Sequence, residues 1–151
     1  MVSIEDLKKQ ALLEEMDEGS LEKISRMIQK VTYKKGHEVF REQEETKGLF
    51  LIHSGKLEIF KTTPDGWKQT LAVLGSGNFC GELSIFEKKS HTATALALED
   101  VTVFLLSKAD LEKIEEEDLA LAYLLLKRLA VTLSRNLRRM NERFLNVLVN
   151  Y

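Results

Sequence analysis

The sequence contains few of the residues that cross-link or interrupt a chain. Among its 151 residues there is one cysteine, Cys80, and one proline, Pro64. One cysteine cannot form an internal disulfide, so a small cross-linked scaffold is excluded and a reducing compartment is indicated. A hydrophobic core must then hold the chain together, and its length suits one domain with a single core.

Long apolar runs and an excess of one charge are also missing. The longest apolar run covers residues 119–126, whereas a membrane-spanning helix needs about 20 apolar residues. The first ten residues alternate charged and apolar side chains, which excludes the apolar segment of a signal peptide. The formal net charge of −2 gives no general attraction to nucleic acid. We therefore expect a soluble, cytoplasmic domain that makes no contact with a membrane.

The pattern of apolar residues divides the chain into three parts. Residues 1–30 and 108–151 carry apolar side chains at the three- and four-residue spacing of amphipathic helices. Between them, in residues 31–107, short runs of Val, Ile, Phe and Leu alternate with turns, which predicts strands. Short strands at this spacing are typical of a small barrel or roll. The sequence thus predicts an α+β fold in a single domain, 1–151, with a β-roll (jelly-roll barrel) flanked by N-terminal helices and a long C-terminal dimerisation helix.

Local signals indicate where helices begin and where strands turn. Ser3, Ser20 and Ser107 each precede a helical pattern and are predicted to cap a helix. The charge run 115–118 is expected to be a solvated loop that starts the next helix. Turns containing glycine separate the strand runs, and they lie at 54–55, 63–66 and 75–78.

The last helix carries an apolar stripe that is longer than a domain of this size can cover. From Leu119 to the end there is no proline or glycine, and apolar residues recur in steps of three or four. The stripe either covers the domain's own roll or meets a partner helix across a two-fold axis, because an uncovered stripe would be an exposed apolar patch. We expect a homodimer through this helix. The members of the stripe are Ala122, Leu126, Leu129, Leu133, Leu137, Met140, Phe144, Val147 and Tyr151.

The stretch FCGELSIFEKKSHTAT, residues 79–94, carries the clearest chemical signal. Gly81 and Glu82 stand at the start of a helical pattern, where unpaired N–H groups and a partial positive charge suit a phosphate. Glycine at this point lets the backbone approach a ligand closely. The ordinary interpretation of the same residues is a turn glycine, a helix-start acid and, at Ser84, a helix N-terminal serine. The residues alone leave both interpretations open.

One ordered pattern runs through this stretch and its neighbours. It reads Gly77-x-Phe79-x-Gly81-Glu82-Leu83-Ser84, then Thr92-Ala93-Thr94, and it is accompanied by LFLIHSGKLEIF and by the turn Thr63-Pro64-Asp65-Gly66. The pattern resembles the phosphate-binding cassette, the central hairpin and the next turn of the cyclic nucleotide-binding domain family. The resemblance covers nearly all of the chain. It implies a cassette at 77–94 and a ligand that is cAMP, cGMP or a related anion.

The resemblance also implies roles for individual residues. Glu82 would accept hydrogen bonds from the ribose 2′-hydroxyl, and the backbone of Leu83 and Ser84 would meet the cyclic phosphate. Thr132 falls where a hydroxyl on the long helix would meet the base, although a plain interface threonine is an equally good interpretation. The full set of expected ligand-binding residues is Gly81, Glu82, Leu83, Ser84, His91, Thr92 and Thr132.

Histidine at position 91 departs from the family, which normally has arginine there. Arginine forks onto a phosphate, whereas histidine is shorter and mostly neutral at pH 7. Losing a charge-assisted hydrogen bond to an anion weakens binding by about ten- to a hundredfold. Alternatively, a bound phosphate protonates His91, or Lys88 and Lys89 compensate. Gln43 stands where the family usually has a turn glycine, which affects the shape of that loop.

Two functions follow as alternatives. The chain is a ligand-sensing module that signals through its C-terminal helix by a population shift, or it is a degenerate member that binds no nucleotide and serves as a dimerisation and protein-interaction scaffold. His91, and Leu133 at a position that is often a hydroxyl, favour the scaffold. Nucleotide binding alone predicts thermal stabilisation by a nucleotide.

Other functions are not expected. Glu82 and His91 could form an acid–base pair, but no nucleophile or metal accompanies them, so an enzyme is not predicted. His37 and His53 are isolated, so no metal site and no cofactor are expected, and Cys80 is predicted to be a small buried hydrophobic residue. Bacterial regulators of the family carry a helix-turn-helix domain after the long helix. Because this chain ends about ten residues after Asn141, direct DNA binding is not expected.

Overall fold

A computed structural model describes residues 1–82 and 90–149 of the chain. Its N-terminal part contains helix α1 (Ile4–Lys8), a short 3-10 turn (Ala11–Leu13) and helix α2 (Glu18–Met27). As predicted, Ser3 caps α1, because its hydroxyl oxygen accepts a hydrogen bond from the Asp6 amide at 3.2 Å.

The predicted cap of the second helix is wrong. Asp17, not Ser20, caps α2, and the Asp17 carboxylate accepts hydrogen bonds from the amide and the hydroxyl of Ser20, at 3.1 and 2.6 Å. These bonds lower the pKa of the Asp17 carboxyl. A carboxylate satisfies the free amides of the first turn, so the helix begins before Gly19 and takes Ser20 into that turn.

Eight antiparallel strands form two four-stranded sheets in the described part of the chain. The first sheet has the order β1-β8-β3-β6 and the second has the order β2-β7-β4-β5. This arrangement confirms the predicted roll between N-terminal helices and a long C-terminal helix. The strands are β1 (Gln29–Tyr33), β2 (Glu38–Phe40), β3 (Gly48–Ser54), β4 (Leu57–Thr62), β5 (Lys68–Leu74), β6 (Phe79–Cys80), β7 (Thr94–Ala97) and β8 (Val101–Ser107).

The predicted turns join these strands. In the turn 63–66, between β4 and β5, the Gly66 amide donates to the Thr63 carbonyl at 2.9 Å. In the turn 75–78, between β5 and β6, the Asn78 side-chain oxygen accepts from the Gly75 amide at 3.0 Å. These bonds satisfy backbone groups that the strand ladders leave free.

Strand β3 separates two apolar clusters, and its alternating side chains belong to one or the other. Phe50 and Ile52 point into the roll, between the two sheets, and Cys80 lies in the same cluster. Leu49 and Leu51 point to the other face, against the helices. Cys80 is buried, as predicted, and burial raises the pKa of its thiol. The sheet that contains β3 is therefore covered on both faces, by the second sheet and by helices.

Two helices complete the described chain, α3 (Lys108–Glu117) and α4 (Leu119–Val149). Ser107 caps α3 as predicted, accepting from the Asp110 amide at 3.1 Å. Asp118 accepts from the Leu121 amide at 3.1 Å. The charge run 115–118 is therefore the last turn of α3 and the cap of α4, with its side chains largely in solvent. None of the described helices has the length and apolar composition needed to cross a bilayer.

Helix α4 packs on the roll with a face different from the predicted stripe. Its buried residues are Leu121, Leu125, Arg128, Leu129 and Thr132, and Leu129 is the only stripe member among them. Leu126, Leu137 and Phe144 are 53%, 58% and 64% exposed. The interpretation in which the stripe covers the chain's own roll is therefore wrong for most of its length, because the last turns of α4 extend past the roll. Tyr151 lies outside the described residues.

Arg128 fastens α4 to the N-terminal turn. Its guanidinium donates to the carbonyls of Ala11 and Leu12, at 2.8 and 3.4 Å, and lies 3.5 Å from a Glu14 carboxylate oxygen. The same turn is held to the roll, because the Ala11 amide donates to Gly77 at 3.1 Å. The turn thus connects the strand that leads into residues 81–82 with the long helix.

We predict that Arg128→Met lowers the free energy of unfolding by about 2–3 kcal/mol. The substitution leaves the Ala11 and Leu12 carbonyls without their charged donor in a nearly buried environment. Urea denaturation measures the change. Arg135→Met is the matched control, because Arg135 pairs at 3.9 Å with the same Glu14 but is 55% exposed, and we expect it to change stability by less than about 0.5 kcal/mol. Equal losses would contradict the assignment.

Candidate functional site

The site is built where three backbone segments meet at glycines. Strand β6 pairs with β3 through Phe50 and Cys80, and the next residue, Gly81, has φ +91°. A Cβ on Gly81 would lie 2.7 Å from the Gly48 carbonyl oxygen, and a Cβ on Gly48 would lie 2.3 Å from the Leu106 carbonyl oxygen. Neither position tolerates a side chain. The close approach that Gly81 makes in this structure is to the backbone of β3, and the predicted approach to a ligand stays a prediction.

Glu82 lies on the helix side of β3. It is half-buried, and burial raises the pKa of its carboxyl. It lines a cleft of about 310 Å³ between β3, α3 and α4, which we call the helix-side cleft. The predicted phosphate-binding residues Leu83 and Ser84, together with Lys88 and Lys89, lie outside the described residues. The residues that line the helix-side cleft are Leu49, Glu82, Leu111, Ile114, Glu115, Leu119, Ala122, Tyr123, Leu125, Leu126 and Leu129.

His91 is buried at the far end of the predicted cassette. It is 2% exposed, and its ring stacks on Phe40 with the ring centroids 3.9 Å apart. Its backbone bonds in both directions to the loop after β2: the His91 amide donates to Glu44 at 2.9 Å, and the Gln43 amide donates to His91 at 2.7 Å. The loop therefore sets the position of His91.

Gln43 takes a backbone conformation that is unusual for a residue with a side chain. Its φ is +71°, which is the left-handed conformation that a glycine adopts most easily. Glutamine at this position therefore holds a strained backbone in the loop that bonds to His91.

The surroundings of His91 favour the neutral imidazole. Burial lowers its pKa, while the Glu44 carboxylate raises it and Lys47 lowers it. Since an unperturbed histidine has a pKa of about 6.5, a lower value leaves the ring uncharged at pH 7. In the absence of an anion, His91 therefore does not supply the positive charge of the family's arginine.

His91 and Thr92 line a second cleft, which we call the rim cleft, of about 590 Å³. Thr92 is exposed, and two residues on, the Thr94 hydroxyl oxygen accepts from the Glu42 amide at 3.0 Å. Of the predicted ligand-binding residues, His91 and Thr92 therefore line the rim cleft, whereas Glu82 lines the helix-side cleft. The residues that line the rim cleft are Glu42, Gln43, Glu45, Thr46, Lys61, Ser90, His91, Thr92 and Lys108.

Sequence reasoning missed the cations and the backbone partner of this region. Lys61 on β4 and Lys108 on α3 line the rim cleft, yet nothing in their local pattern marks them, because the fold brings them together from distant segments. Gly48 carried a signal that could have been used: it stands alone between a charged loop and an apolar strand, where a glycine indicates a close backbone approach.

Thr132 is buried on the face of α4 that packs on the roll. Its hydroxyl donates to the Arg128 carbonyl at 2.8 Å, which is a bond within the helix. Among the described residues, no group of three or more His, Cys, Asp or Glu side chains is placed to hold a metal ion.

We predict that Gly81→Ala destabilises the chain by about 2–4 kcal/mol, because a Cβ would require both a strained φ and a displaced β3 carbonyl. Gly36→Ala is the control: Gly36 has φ +87°, but its Cβ would meet nothing within 4 Å, so we expect a loss of only about 1 kcal/mol. Urea denaturation measures the free energy of unfolding of both variants. If Gly81→Ala and Gly36→Ala lost equal stability, the close contact between Gly81 and Gly48 would contribute nothing to the cost.

Comparison with known sequences identifies relatives of this chain. The model of the "Cyclic nucleotide-binding domain" family matches residues 30–118. A "CRP-like cAMP-activated global transcriptional regulator" of Mycobacterium tuberculosis is 28% identical over 138 residues, which are 91% of this chain and 60% of that protein. A "Cyclic AMP receptor protein" of Thermus thermophilus is 34% identical over 83 residues, 55% of this chain and 38% of that protein. The chain thus spans about 60% or less of the length of these relatives.

Solved structures are similar in fold. The N-terminal domain of a transcriptional regulator from Streptomyces coelicolor superposes with a TM-score of 0.74 at 29% identity, covering 92% of this chain and 94% of that one. The catabolite activator protein of Thermus thermophilus gives a TM-score of 0.74 at 28% identity, covering 89% of this chain and 62% of that one. The glycine-built turn after β6, the two-sheet roll and the match over residues 30–118 lead to one conclusion: the chain belongs to the cyclic nucleotide-binding domain family.

Proposed function

We propose that this chain is a regulatory module that binds cAMP, cGMP or a related anionic ligand in its roll and signals through α4. The observation that carries the proposal is the turn at Gly81, whose backbone lies against Gly48 where no side chain fits. We infer that a phosphate would bind at the amides that follow such a glycine, because the amides at the start of a helix suit an anion. The relatives named for cAMP support the same ligand class.

The residues described above suggest how the ligand is held. The phosphate would meet the backbone after Gly81, with Leu83 and Ser84 as its contacts, and Glu82 would accept from the ribose. Thr92 offers a hydroxyl at the far end of the cassette. Thr132 would reach the base only if its hydroxyl exchanged its bond to Arg128 for one to the ligand.

Glu82 suggests how binding changes the long helix. Its side chain lines the same cleft as Leu125, Leu126 and Leu129 of α4. A ligand in the roll that draws the Glu82 carboxylate toward the ribose would alter the contact between the cassette and α4. Binding would then favour one arrangement of α4 over another, which is the condition for a population shift.

Neutral His91 sets the expected affinity. A neutral imidazole donates at most one hydrogen bond to a phosphate and carries no charge, whereas arginine donates two and is charged. Lys61 and Lys108 add positive charge at the rim cleft, but Glu42 and Glu45 line the same cleft and offset it. We therefore expect micromolar or weaker binding.

The exposed stripe of α4 supports a homodimer. Its members Leu126, Leu137, Met140 and Phe144 are each more than half exposed, although they form one continuous apolar face. A second copy, related by a two-fold axis, offers an identical face that would cover it. Catalysis is not part of the proposal, because Glu82 and His91 lie at different clefts.

We predict that isothermal titration detects binding of cAMP or cGMP to the wild-type chain. His91→Arg should strengthen this binding by about ten- to a hundredfold, because arginine would make a bidentate, charged contact with the phosphate. His91→Gln is the control, since it removes the titratable ring without adding charge, and we expect less than about a threefold change. Absence of binding by both the wild type and His91→Arg, with an unchanged melting temperature, would contradict ligand sensing and support the scaffold alternative.

The pH dependence of cAMP affinity shows whether the His91 ring is neutral or protonated in the complex. Burial lowers the pKa of His91, so we expect the affinity for cAMP to be the same at about pH 6.5 and about pH 8. If a bound phosphate instead raised the pKa of His91 well above its ordinary value, protons would be taken up on binding. The affinity would then fall as the pH rises between the free and the bound pKa, and a tenfold loss would contradict a neutral ring.

Leu137→Glu tests the dimer. A charge in the centre of the apolar stripe should dissociate it, which light scattering after size exclusion detects as a halved mass. Asn146→Glu is the control, because Asn146 is exposed on the opposite side of the same helix, and we expect it to leave the mass unchanged. A wild-type chain that is monomeric at high concentration would overturn the dimer.

A further inference from the structure

One row of side chains along α4 changes its chemistry where the helix leaves the roll. In the first half of the helix this row is buried, and it advances in steps of three or four residues. Past the roll the same row continues with arginines at four-residue spacing. The buried members are Leu121, Leu125, Arg128 and Thr132, and the three that follow, which we call the arginine row, are Arg135, Arg139 and Arg143.

The arginine row lies in solvent, on the side of α4 that faces away from the apolar stripe. All three of its arginines are exposed. Arg139 follows Leu137 of the stripe by two residues, and two residues turn an α-helix by about 200°. The two side chains therefore leave the helix on nearly opposite sides. A second copy that covered the stripe would leave the arginine row uncovered.

Positive charge is concentrated in this part of a chain that is otherwise acidic. Residues 133–149 contain four arginines and one glutamate, Glu142, whereas the whole chain has a formal net charge of −2. Within the described ranges 1–82 and 90–149, no carboxylate forms an ion pair with Arg139 or Arg143. A local positive field on a negative chain attracts an anionic partner to this face of α4.

The beginning of the row already holds a carboxylate from another segment. Glu14, in the turn that precedes α2, has a carboxylate oxygen 3.5 Å from Arg128 and 3.9 Å from Arg135. One glutamate thus lies against two successive members of the row. Arg139 and Arg143 repeat this arrangement further along α4. The group that the row takes within its own chain is therefore a glutamate side chain.

We propose that the arginine row binds an acidic helix of a partner protein, one that carries carboxylates at four-residue spacing. Steps of four residues place the arginines about 6 Å apart along α4, and glutamates at the same spacing on another helix are equally far apart. A guanidinium can bind a carboxylate through two parallel hydrogen bonds. The row therefore selects the spacing of the charges as well as their sign. The inference goes beyond the proposed function and needs no nucleotide in the roll.

A nucleic acid is a less suitable partner for this row. The strands of a duplex wind around its axis, so a straight row of arginines follows the phosphates of one strand over only a short distance. The rest of the chain is net negative, and it would repel the phosphates on either side of the contact. An acidic helix can instead lie along α4 and meet only the arginines.

Fluorescence anisotropy with three labelled probes tests the proposal. The first is a peptide of about 20 residues with glutamate at every fourth position, and the second has the same composition with its glutamates spread around the helix. Both are held helical by a hydrocarbon staple, because short peptides are marginal helices in water. The third is a DNA duplex. We expect the first peptide to bind at least about fivefold more tightly than the second peptide and the duplex.

The other outcomes of this experiment would each overturn the proposal. Equal binding of the two peptides would mean that the row attracts negative charge without regard to spacing. Tighter binding of the duplex would assign the row to nucleic acid. Absence of binding by the first peptide would mean that the arginines are only solvated.

Substitutions of single arginines locate the contact. Arg139→Gln and Arg143→Gln should each weaken binding of the first peptide about two- to fivefold, because each removes one exposed ion pair. Arg138→Gln is the matched control: Arg138 is an exposed arginine of the same helix, turned about 100° away from Arg139, and we expect no measurable change. If Arg138→Gln weakened binding as much as Arg139→Gln, the overall charge of the helix would explain the binding and the proposal would fail.

The Leu137→Glu chain shows whether the row of one chain is sufficient. Because Leu137 lies on the far side of α4, the first peptide should bind this chain within about twofold of the wild type. Binding that was lost in Leu137→Glu would mean that two copies build the site together, which would contradict a single arginine row as the binding surface.

Discussion

The contact between Gly48 and Gly81 is the constraint on which the site depends. Strand β6 is only two residues long, and the chain turns directly after it onto the backbone of β3. The Gly48 carbonyl occupies the space of a Gly81 Cβ, and the Leu106 carbonyl occupies the space of a Gly48 Cβ. Three successive backbones thus pack without side chains between them. Any residue other than glycine at either position would push the backbone after β6 away from the sheet.

The segment around β6 is also connected to α4 through a chain of hydrogen bonds. Gly77, just before β6, accepts from Ala11 at 3.1 Å, and Ala11 in turn accepts from Arg128 at 2.8 Å. Glu82, just after β6, lines the helix-side cleft with the residues of α4. Residues 77–82 are therefore linked to α4 on both sides of β6, through Ala11 before the strand and at the helix-side cleft after it. Packed interfaces of this kind tend to have discrete arrangements, and the proposed signalling from the roll to α4 would use them.

Local chemistry was predictable from the sequence, and contacts between distant segments were not. The caps Ser3 and Ser107, the turn at 63–66 and the roll of short strands follow from side chains within a few residues of each other. Ser20 was misjudged because Asp17 offered a stronger acceptor three residues earlier. The packed face of α4 depends on Arg128 reaching Ala11, 117 positions away, and periodicity could not separate this face from the stripe. The burial of His91 against Phe40 could not be predicted from the sequence either. The residue type indicates which charge a side chain can carry, but not which surroundings the fold gives it.

The most direct test of the account is an amide chemical-shift titration of the isotope-labelled chain with cAMP. The account predicts that the largest shifts occur at Gly48, Gly81 and His91, because the ligand binds on the glycine-built turn, while Gly36 and Gly66 stay unchanged in their solvent-exposed turns. Smaller shifts should follow along α4 near Arg128. Saturation of the chain with no shift at Gly48 and Gly81, or shifts confined to the surface turns, would contradict the claim that this turn is the ligand site.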